Sequence, residues 1–215
     1  MPEIVFADRR DAGRRLGAVL RERGFAQPGA LVAGIPRGGA VVAAEVAAEL
    51  GLPLRAIVAR KLGAPNQPEL AIGALGPDGT PLFDESLVRR LRVSEQWLTH
   101  VVDQERAELV SRIEHFPGVV SRDDVAGKLV IVVDDGVATG ATAAAVGAWL
   151  GHAGAARRAL ALPVAPPSTL RRLERVYDDM VVLAQPSHFV AVGQWYRDFT
   201  QTTDEEVIAL LSQAS

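Results

Sequence analysis

The chain has 215 residues, of which 48% are hydrophobic, so its length and composition suit one soluble domain with a substantial core. It contains no cysteine, which excludes disulfides, thiolate zinc sites and a cysteine nucleophile, and its net charge of -3 argues against a nucleic-acid partner. No apolar stretch is long enough to span a membrane and the first residues lack a secretory signal, so we expect a cytoplasmic protein with no membrane partner.

Apolar strands and amphipathic helices alternate along the chain. In chain order, the pattern predicts a helix at 8–24, a strand at 30–35, a helix at 38–50, a strand at 54–59, a loop at 62–69, strands at 71–75 and 81–83 around a turn at 76–79, helices at 84–92 and 94–116, a strand at 129–133, a helix at 139–152, a strand at 156–164, a helix at 167–176, a strand at 180–184 and a helix at 204–212. The alternation indicates βαβ units, and the unbroken apolar strands indicate a mostly parallel sheet covered on both faces.

We find no internal repeat and no linker long enough to separate two domains. The chain is therefore expected to form a single domain over residues 1–215, with a core at about 30–184 and a C-terminal tail at about 185–215. Ligands of such sheets bind beyond the carboxyl ends of the strands. Three loops of unusual composition fall at that edge, after Ile35, Ala59 and Val133.

The third of these loops lies within VIVVDDGVATGAT, residues 130–142. Gly136 and Gly140 permit a tight turn and a close approach to a ligand. The following helix start presents backbone N–H groups to an anion, and Thr139 and Thr142 add hydroxyl donors. This half of the motif predicts a phosphate site.

Two adjacent acids, Asp134 and Asp135, end the strand before this loop. They repel each other and call for hydroxyl donors or a cation, so a ribose 5-phosphate, with its diol beside a phosphate, suits both halves. The spacing excludes a nucleotide-triphosphate P-loop, because Gly136 and Gly140 are one residue too close and Ala141 replaces the lysine. A plain turn with solvated acids stays an alternative.

The same thirteen residues resemble the phosphoribosyl-pyrophosphate (PRPP) signature of type I phosphoribosyltransferases, and a looser resemblance extends from about Val32 to Leu183. The resemblance implies an α/β, three-layer, doubly wound fold with a small hood and an inserted long helix. It also implies transfer of ribose 5-phosphate from PRPP to a small nitrogenous acceptor, with Mg²⁺ held mainly by PRPP. Asp134 and Asp135 would hold the ribose hydroxyls. The loop around the 5-phosphate would comprise Gly136, Val137, Ala138, Thr139, Gly140, Ala141 and Thr142.

The first loop, GIPRGGAVVA at residues 34–43, resembles the pyrophosphate loop of the family. Gly38 and Gly39 expose backbone N–H groups at a helix start, and Arg37 adds a forked cation. The resemblance implies that these three residues bind the pyrophosphate of PRPP. A helix start with a solvated arginine is the alternative.

The second loop resembles the family's basic position and its flexible lid. Arg60 and Lys61 match the basic residue that meets the pyrophosphate, and residues 62–69 resemble the lid that closes over the site. Family members for hypoxanthine and guanine carry an acid where this chain has Ala138, so we expect a different acceptor. Glu69 is then a candidate catalytic proton handler, with a solvated loop charge as the alternative.

The C-terminal segment at 185–199 has an unusual density of aromatic residues and resembles the family's acceptor-binding hood. Phe189, Trp195 and Tyr196 could stack on a planar base, or pack the tail onto the domain. The helix at 94–116 has apolar residues on more than one side, which fits either core packing or a homodimer contact.

Two other functions stay open. A PRPP-sensing regulator would keep the fold without catalysis, although the negative charge and the lack of a helix-turn-helix ahead of the core argue against it. The second is the binding of a different phosphate-bearing ligand, with the two aspartates holding a metal ion. The acceptor could be a purine, a pyrimidine or another amine.

Overall fold

The computed structural model of the protein describes residues 6–213, apart from the side chain of Glu69. Its helices are α1 (Arg9–Glu22), α2 (Gly38–Leu50), α3 (Glu85–Leu91), α4 (Glu95–His115), α5 (Arg122–Val125), α6 (Ala141–His152), α7 (Pro167–Leu173) and α8 (Asp204–Gln213). Its strands are β1 (Leu31–Gly34), β2 (Leu54–Ala56), β3 (Arg60–Ala64), β4 (Gln67–Leu75), β5 (Pro81–Phe83), β6 (Leu129–Val133), β7 (Arg157–Val164) and β8 (Asp179–Ala184).

Five strands form a parallel sheet in the order β2-β1-β6-β7-β8. The central strand, β6, is buried along its whole length. Ile131 and Val133 pack into the cluster under α1 and α2, whereas Val130 and Val132 pack into the cluster under α6. This alternation puts a helical layer on each face of the sheet and confirms the predicted three-layer, mostly parallel α/β fold.

Local sequence signals set most of the helix starts. Asp84 begins α3 by accepting from the backbone N–H of Leu87 at 2.9 Å, and Ser94 caps α4 in the same way. Helix α6 begins at Ala141, two residues later than predicted, because Gly140 has a φ of 70° that a right-handed helix does not include.

The predicted loop at 62–69 is wrong, because this segment forms the tip of a hairpin between β3 and β4. These strands and β5 make a separate three-stranded antiparallel sheet. Pro65 and Asn66 make the turn, and Asn66 takes a φ of 58°, which asparagine tolerates well. Leu62 and Ala64 alternate inward as a strand requires. The two prolines of the segment suggested a loop, but one serves the turn and the other lies in a strand with an irregular register.

Other elements differ from the predictions in smaller ways. The predicted hairpin around 76–79 is confirmed by the pairing of β4 with β5. Strand β2 ends at Ala56 rather than at 59, and the short helix α5 was not predicted. Helix α4 buries Val101, Val102 and Leu109 in the main core, and its role in a dimer stays a prediction.

The C-terminal segment returns to the carboxyl edge of the parallel sheet. The backbone of Phe6 pairs with Trp195 and Arg197, at 3.0 and 2.9 Å, which fixes this segment beside the start of α1. Phe6 and Trp195 belong to a small buried cluster that also contains Val164 of β7. Among the described helices, none combines the length and the apolar character needed to cross a bilayer.

Candidate active site

A pocket of about 270 Å³ opens at the carboxyl edge of the parallel sheet, where the loops after β1, β2 and β6 meet. Its polar lining consists of two carboxylates, three guanidinium groups and one hydroxyl. These belong to Asp134, Asp135, Arg37, Arg60, Arg112 and Thr142. The fold thus brings together residues from all three of the loops that the sequence singled out, and adds one from α4.

The acid pair follows β6 directly and is largely buried in the pocket wall. The backbone N–H of Asp135 donates to Oδ1 of Asp134 at 2.9 Å. Burial raises the pKa of Asp134 well above the ordinary carboxyl range, and the neighbouring Asp135 raises it further. Burial also raises the pKa of Asp135, although Arg9 opposes that shift. A ligand that brings hydroxyl donors or a cation would stabilise both acids as anions.

Arg9, the first residue of α1, forms an ion pair with Asp135. Its Nε lies 2.8 Å from Oδ2 of Asp135, and the two side chains are only 12% and 15% exposed. The hydroxyl of Tyr196 donates to the backbone carbonyl of the same aspartate. Sequence reasoning missed Arg9 because it lies among several other arginines, 126 residues away from Asp135, with no motif around it.

Two glycines allow the start of α2 to touch the acid pair. A Cβ on Gly38 would lie 1.9 Å from Oδ2 of Asp135, and a Cβ on Gly39 would lie 2.8 Å from Cα of Asp134. The backbone N–H of Ala40 donates to the carbonyl oxygen of Arg37 at 3.1 Å, whereas the N–H groups of Gly38 and Gly39 have no partners within the helix and are available as donors. Together with Arg37, which precedes the helix, they make this wall suitable for an anion.

The loop at 134–140 leads into the N-terminus of α6, the arrangement that binds phosphate groups. Gly136 has a φ of 148° and Gly140 a φ of 70°, both of which are unfavourable for residues with a side chain. Thr142, in the first turn of α6, lines the pocket. The loop therefore has the backbone shape that the motif predicts.

Helix α7 holds the outer side of this loop. The hydroxyl of Thr169 donates to the carbonyl oxygen of Ala138 at 2.6 Å, and Arg172 donates to the carbonyl oxygen of Thr139 at 2.9 Å. Two carbonyl oxygens of the loop are thereby bonded to α7, which reduces their repulsion of an anion bound on the inner side.

The predicted basic residues of the second loop take different positions. Arg60 lines the pocket, and its Nε and Nη2 both lie 2.7 Å from Oε2 of Glu105 on α4. Lys61 is half-buried in β3 and is not among the residues that line the pocket. The backbone of Glu69 lies in β4, whereas its side chain is outside the described part of the chain.

Arg112 is a pocket residue that sequence reasoning missed. It lies in the last turn of α4 and is exposed. It follows Glu105 by seven residues, so both lie on the same side of the helix. That spacing was visible in the sequence, but nothing there showed that this side of the helix faces the site.

The aromatic residues of the C-terminal segment are mostly packed against one another. Trp195 and Tyr196 are 8% and 4% exposed, in the cluster with Phe6. Phe189 is half-buried, with its ring centroid 6.4 Å from that of Trp195 and nearly parallel to it. Of the three, Phe189 has the most surface open to a ligand, and an acceptor-binding role for any of them stays a prediction.

The described residues contain no group of three or more histidine or acidic side chains placed to hold a metal ion. The two adjacent carboxylates of Asp134 and Asp135 are the acidic groups of the pocket. A Mg²⁺ ion at this site would therefore draw most of its ligands from the substrate and from water, as this ion commonly does.

Comparisons with known proteins identify the family. The sequence profile of the phosphoribosyl transferase domain matches residues 10–200. Two curated Mycobacterium tuberculosis proteins, provisionally named phosphoribosyl transferases, are 42% identical over 210 residues, which is 98% of this chain and 47% of each relative. The chain thus spans about half the length of these relatives. The crystal structure of TT1426 from Thermus thermophilus is 38% identical, with a TM-score of 0.87 over 98% of this chain and 99% of that one. The protein therefore belongs to the phosphoribosyltransferase family.

Proposed function

We propose that the protein transfers the 5-phosphoribosyl group of PRPP to a small nitrogenous acceptor, in a Mg²⁺-dependent reaction that releases pyrophosphate. The observation that carries this proposal is the buried acid pair between two anion-binding helix starts, those of α2 and α6. PRPP carries a ribose diol between a 5-phosphate and a pyrophosphate. The acid pair would bind the diol, and the two helix starts would bind the phosphate groups on either side of it.

The reaction needs positioning more than it needs strong acids or bases. A nitrogen lone pair of the acceptor attacks C1 of the ribose, the bond from C1 to the pyrophosphate oxygen breaks, and the acceptor nitrogen loses its proton. Asp134 and Asp135 would hold the ribose hydroxyls, and residues 136–142 would hold the 5-phosphate. Positive charge develops on the ribose ring as the bond breaks, so the adjacent carboxylates also stabilise the transition state.

The pyrophosphate would bind beside the start of α2. Arg37, Arg60 and Arg112 line the pocket together with Gly38, the first residue of α2. Mg²⁺ bound with PRPP would supply further neutralisation of the leaving group. Burial raises the pKa of both carboxylates, and the positive charge of Arg9 offsets this only in part. A magnesium ion nearby would therefore help to stabilise both groups as anions.

The acceptor is proposed to be a nucleobase other than hypoxanthine or guanine. Ala138 supplies no acid at the loop position where relatives for those bases carry one. Its methyl group is exposed on the loop, and its carbonyl oxygen is bonded to Thr169. A proton handler would then come from outside the loop, and Glu69 remains the candidate from the sequence.

A screen of nucleobases and simple amines with PRPP and Mg²⁺, read out as pyrophosphate release, tests the proposal. The expected result is turnover with one class of acceptor that disappears when EDTA removes the metal. Tight PRPP binding with no turnover on any acceptor would instead favour the PRPP-sensing regulator. Failure to bind PRPP would contradict both functions.

A further inference from the structure

The guanidinium group of Arg9 is held on three sides. Its Nε donates to Oδ2 of Asp135 at 2.8 Å, and its Nη1 donates to the carbonyl oxygen of Thr200 at 2.8 Å. Its Cζ lies 3.8 Å from the centroid of the Phe199 ring, within the range of a cation–π contact. One side chain thus joins α1, the acid pair and the C-terminal segment at 196–200.

Other arginines of α1 lack this environment. Arg10, Arg14 and Arg21 also pair with carboxylates, on α2, but each is more than half exposed. Exposed pairs of this kind contribute little to stability because water and salt screen them. Arg9 is 12% exposed, so its pairing with Asp135 is much less screened and more sensitive to the loss of either partner.

The two acids of the pocket are consequently unequal. Oδ2 of Asp135 is bonded to Arg9 and lies against Gly38, where a Cβ would be 1.9 Å away. Asp134 accepts the backbone N–H of Asp135 and, within the described residues, forms no ion pair. The outer oxygen of Asp135 therefore has a fixed position relative to the pocket, because the inner oxygen cannot rotate away from Arg9 without losing a buried ion pair.

We infer that Arg9 is a positioning residue for the ribose half of PRPP, which orients the Asp135 carboxylate and couples that acid to the C-terminal segment at 196–200. The inference rests on the proposed function, since it concerns the same ribose site. Arg9 itself does not line the pocket and acts through Asp135. A lysine could replace one hydrogen bond but not the flat contact with Phe199 or the second bond to Thr200.

Titration calorimetry of PRPP, ribose 5-phosphate and pyrophosphate tests this role in three variants. Arg9→Met should weaken the binding of PRPP and of ribose 5-phosphate about tenfold, and the affinity for pyrophosphate should stay within about twofold. Arg9→Lys should recover part of that loss. The matched control is Arg10→Met, which removes the adjacent exposed arginine and should leave all three affinities within about twofold. Equal weakening of all three ligands in Arg9→Met, or no weakening at all, would overturn the inference.

Hydrogen exchange followed by mass spectrometry supplies a readout that needs no ligand. In Arg9→Met, amide exchange should accelerate in both 134–140 and 196–200, and in Arg10→Met it should accelerate in neither. Unchanged exchange in both segments of Arg9→Met would contradict the coupling. If the unmodified protein binds neither PRPP nor ribose 5-phosphate, the proposed function fails. Normal binding by Arg9→Met would contradict the positioning role alone.

Discussion

Gly38 and Asp135 occupy neighbouring space so closely that a methyl group on the glycine would lie 1.9 Å from Oδ2 of the aspartate. One residue starts α2 and the other follows β6, about a hundred residues later in the chain. The start of α2 and the acid pair are thus in direct contact, so added bulk at Gly38 must displace the Asp135 carboxylate.

Gly38→Ala should therefore reduce PRPP affinity by at least about tenfold, because the new methyl group displaces the Asp135 carboxylate. Gly38 does not have a positive φ, so alanine brings no backbone strain and the effect is steric. Calorimetry with PRPP measures it. Gly151→Ala is the control, since a Cβ there meets only the flexible end of Arg158, and it should bind PRPP normally. Normal affinity in Gly38→Ala would show that the carboxylate can shift without loss of function.

The raised pKa of Asp134 predicts that Asp134→Asn is more stable than the unmodified protein at neutral pH. Burial and Asp135 raise the pKa of Asp134 above its ordinary 3.8, so the native state binds more protons than the unfolded state at pH values above 3.8. The free energy of unfolding therefore falls as the pH rises through this window. The uncharged amide of Asp134→Asn does not titrate, so the variant avoids this fall in the free energy of unfolding.

Thermal unfolding at several pH values measures this effect. Asp134→Asn should raise Tm at pH 8 by at least about 2 °C, which corresponds to roughly 1 kcal/mol in a chain of this size, and the gain should shrink towards pH 4. Asp123→Asn, at an exposed acid on α5, should show no such trend. A lower Tm for Asp134→Asn at pH 8 would contradict the account of the buried acids.

The fold and the core of the site were predictable because their signals are local. The apolar run of β6, the adjacent acids and the glycines at 136 and 140 lie within one short stretch, so the strand, the turn and its anion preference could be read together. The buried strands likewise predicted the three layers. These features depend on residues close to one another in sequence.

The missed features depend on tertiary contacts. Nothing near Arg9 distinguishes it from Arg10, because only folding places the first against Phe199 and Asp135. The aromatic density of the C-terminal segment fitted either stacking on a base or packing for Tyr196, and only the fold shows Phe6 and Phe199 packed against its ring.

Arg112→Met should weaken the binding of pyrophosphate and of PRPP about fivefold and leave the affinity for ribose 5-phosphate unchanged. Arg112 lines the pocket but is exposed, so solvent screening should keep the loss at about 1 kcal/mol, below the roughly 1.5–3 kcal/mol of a typical hydrogen bond to a charged group. Arg106→Met on the same helix removes an arginine outside the pocket and is the matched control. An equal loss of affinity for ribose 5-phosphate would contradict a role of Arg112 in pyrophosphate binding.

Lys61→Ala, measured alongside, tests whether β3 also contributes to pyrophosphate binding.

The acceptor hypothesis makes a separate prediction about proton transfer. If Glu69 handles the acceptor proton, Glu69→Gln should lower kcat at least about 100-fold with little change in PRPP affinity. Steady-state kinetics with the acceptor found in the screen measures both quantities. A near-normal kcat would remove Glu69 from the mechanism. Efficient turnover of hypoxanthine or guanine by the unmodified protein would contradict the argument from Ala138.

The central claim is that the acid pair holds the ribose of PRPP, and calorimetry of PRPP tests it most directly. The measurement compares the unmodified protein, with Mg²⁺ and with EDTA, against Asp134→Asn and Asp135→Asn. We expect binding that requires Mg²⁺ and weakens by about 1.5–3 kcal/mol, roughly 10- to 150-fold, in each variant. A nucleoside triphosphate should not compete. Unchanged PRPP affinity in both variants would contradict the claim.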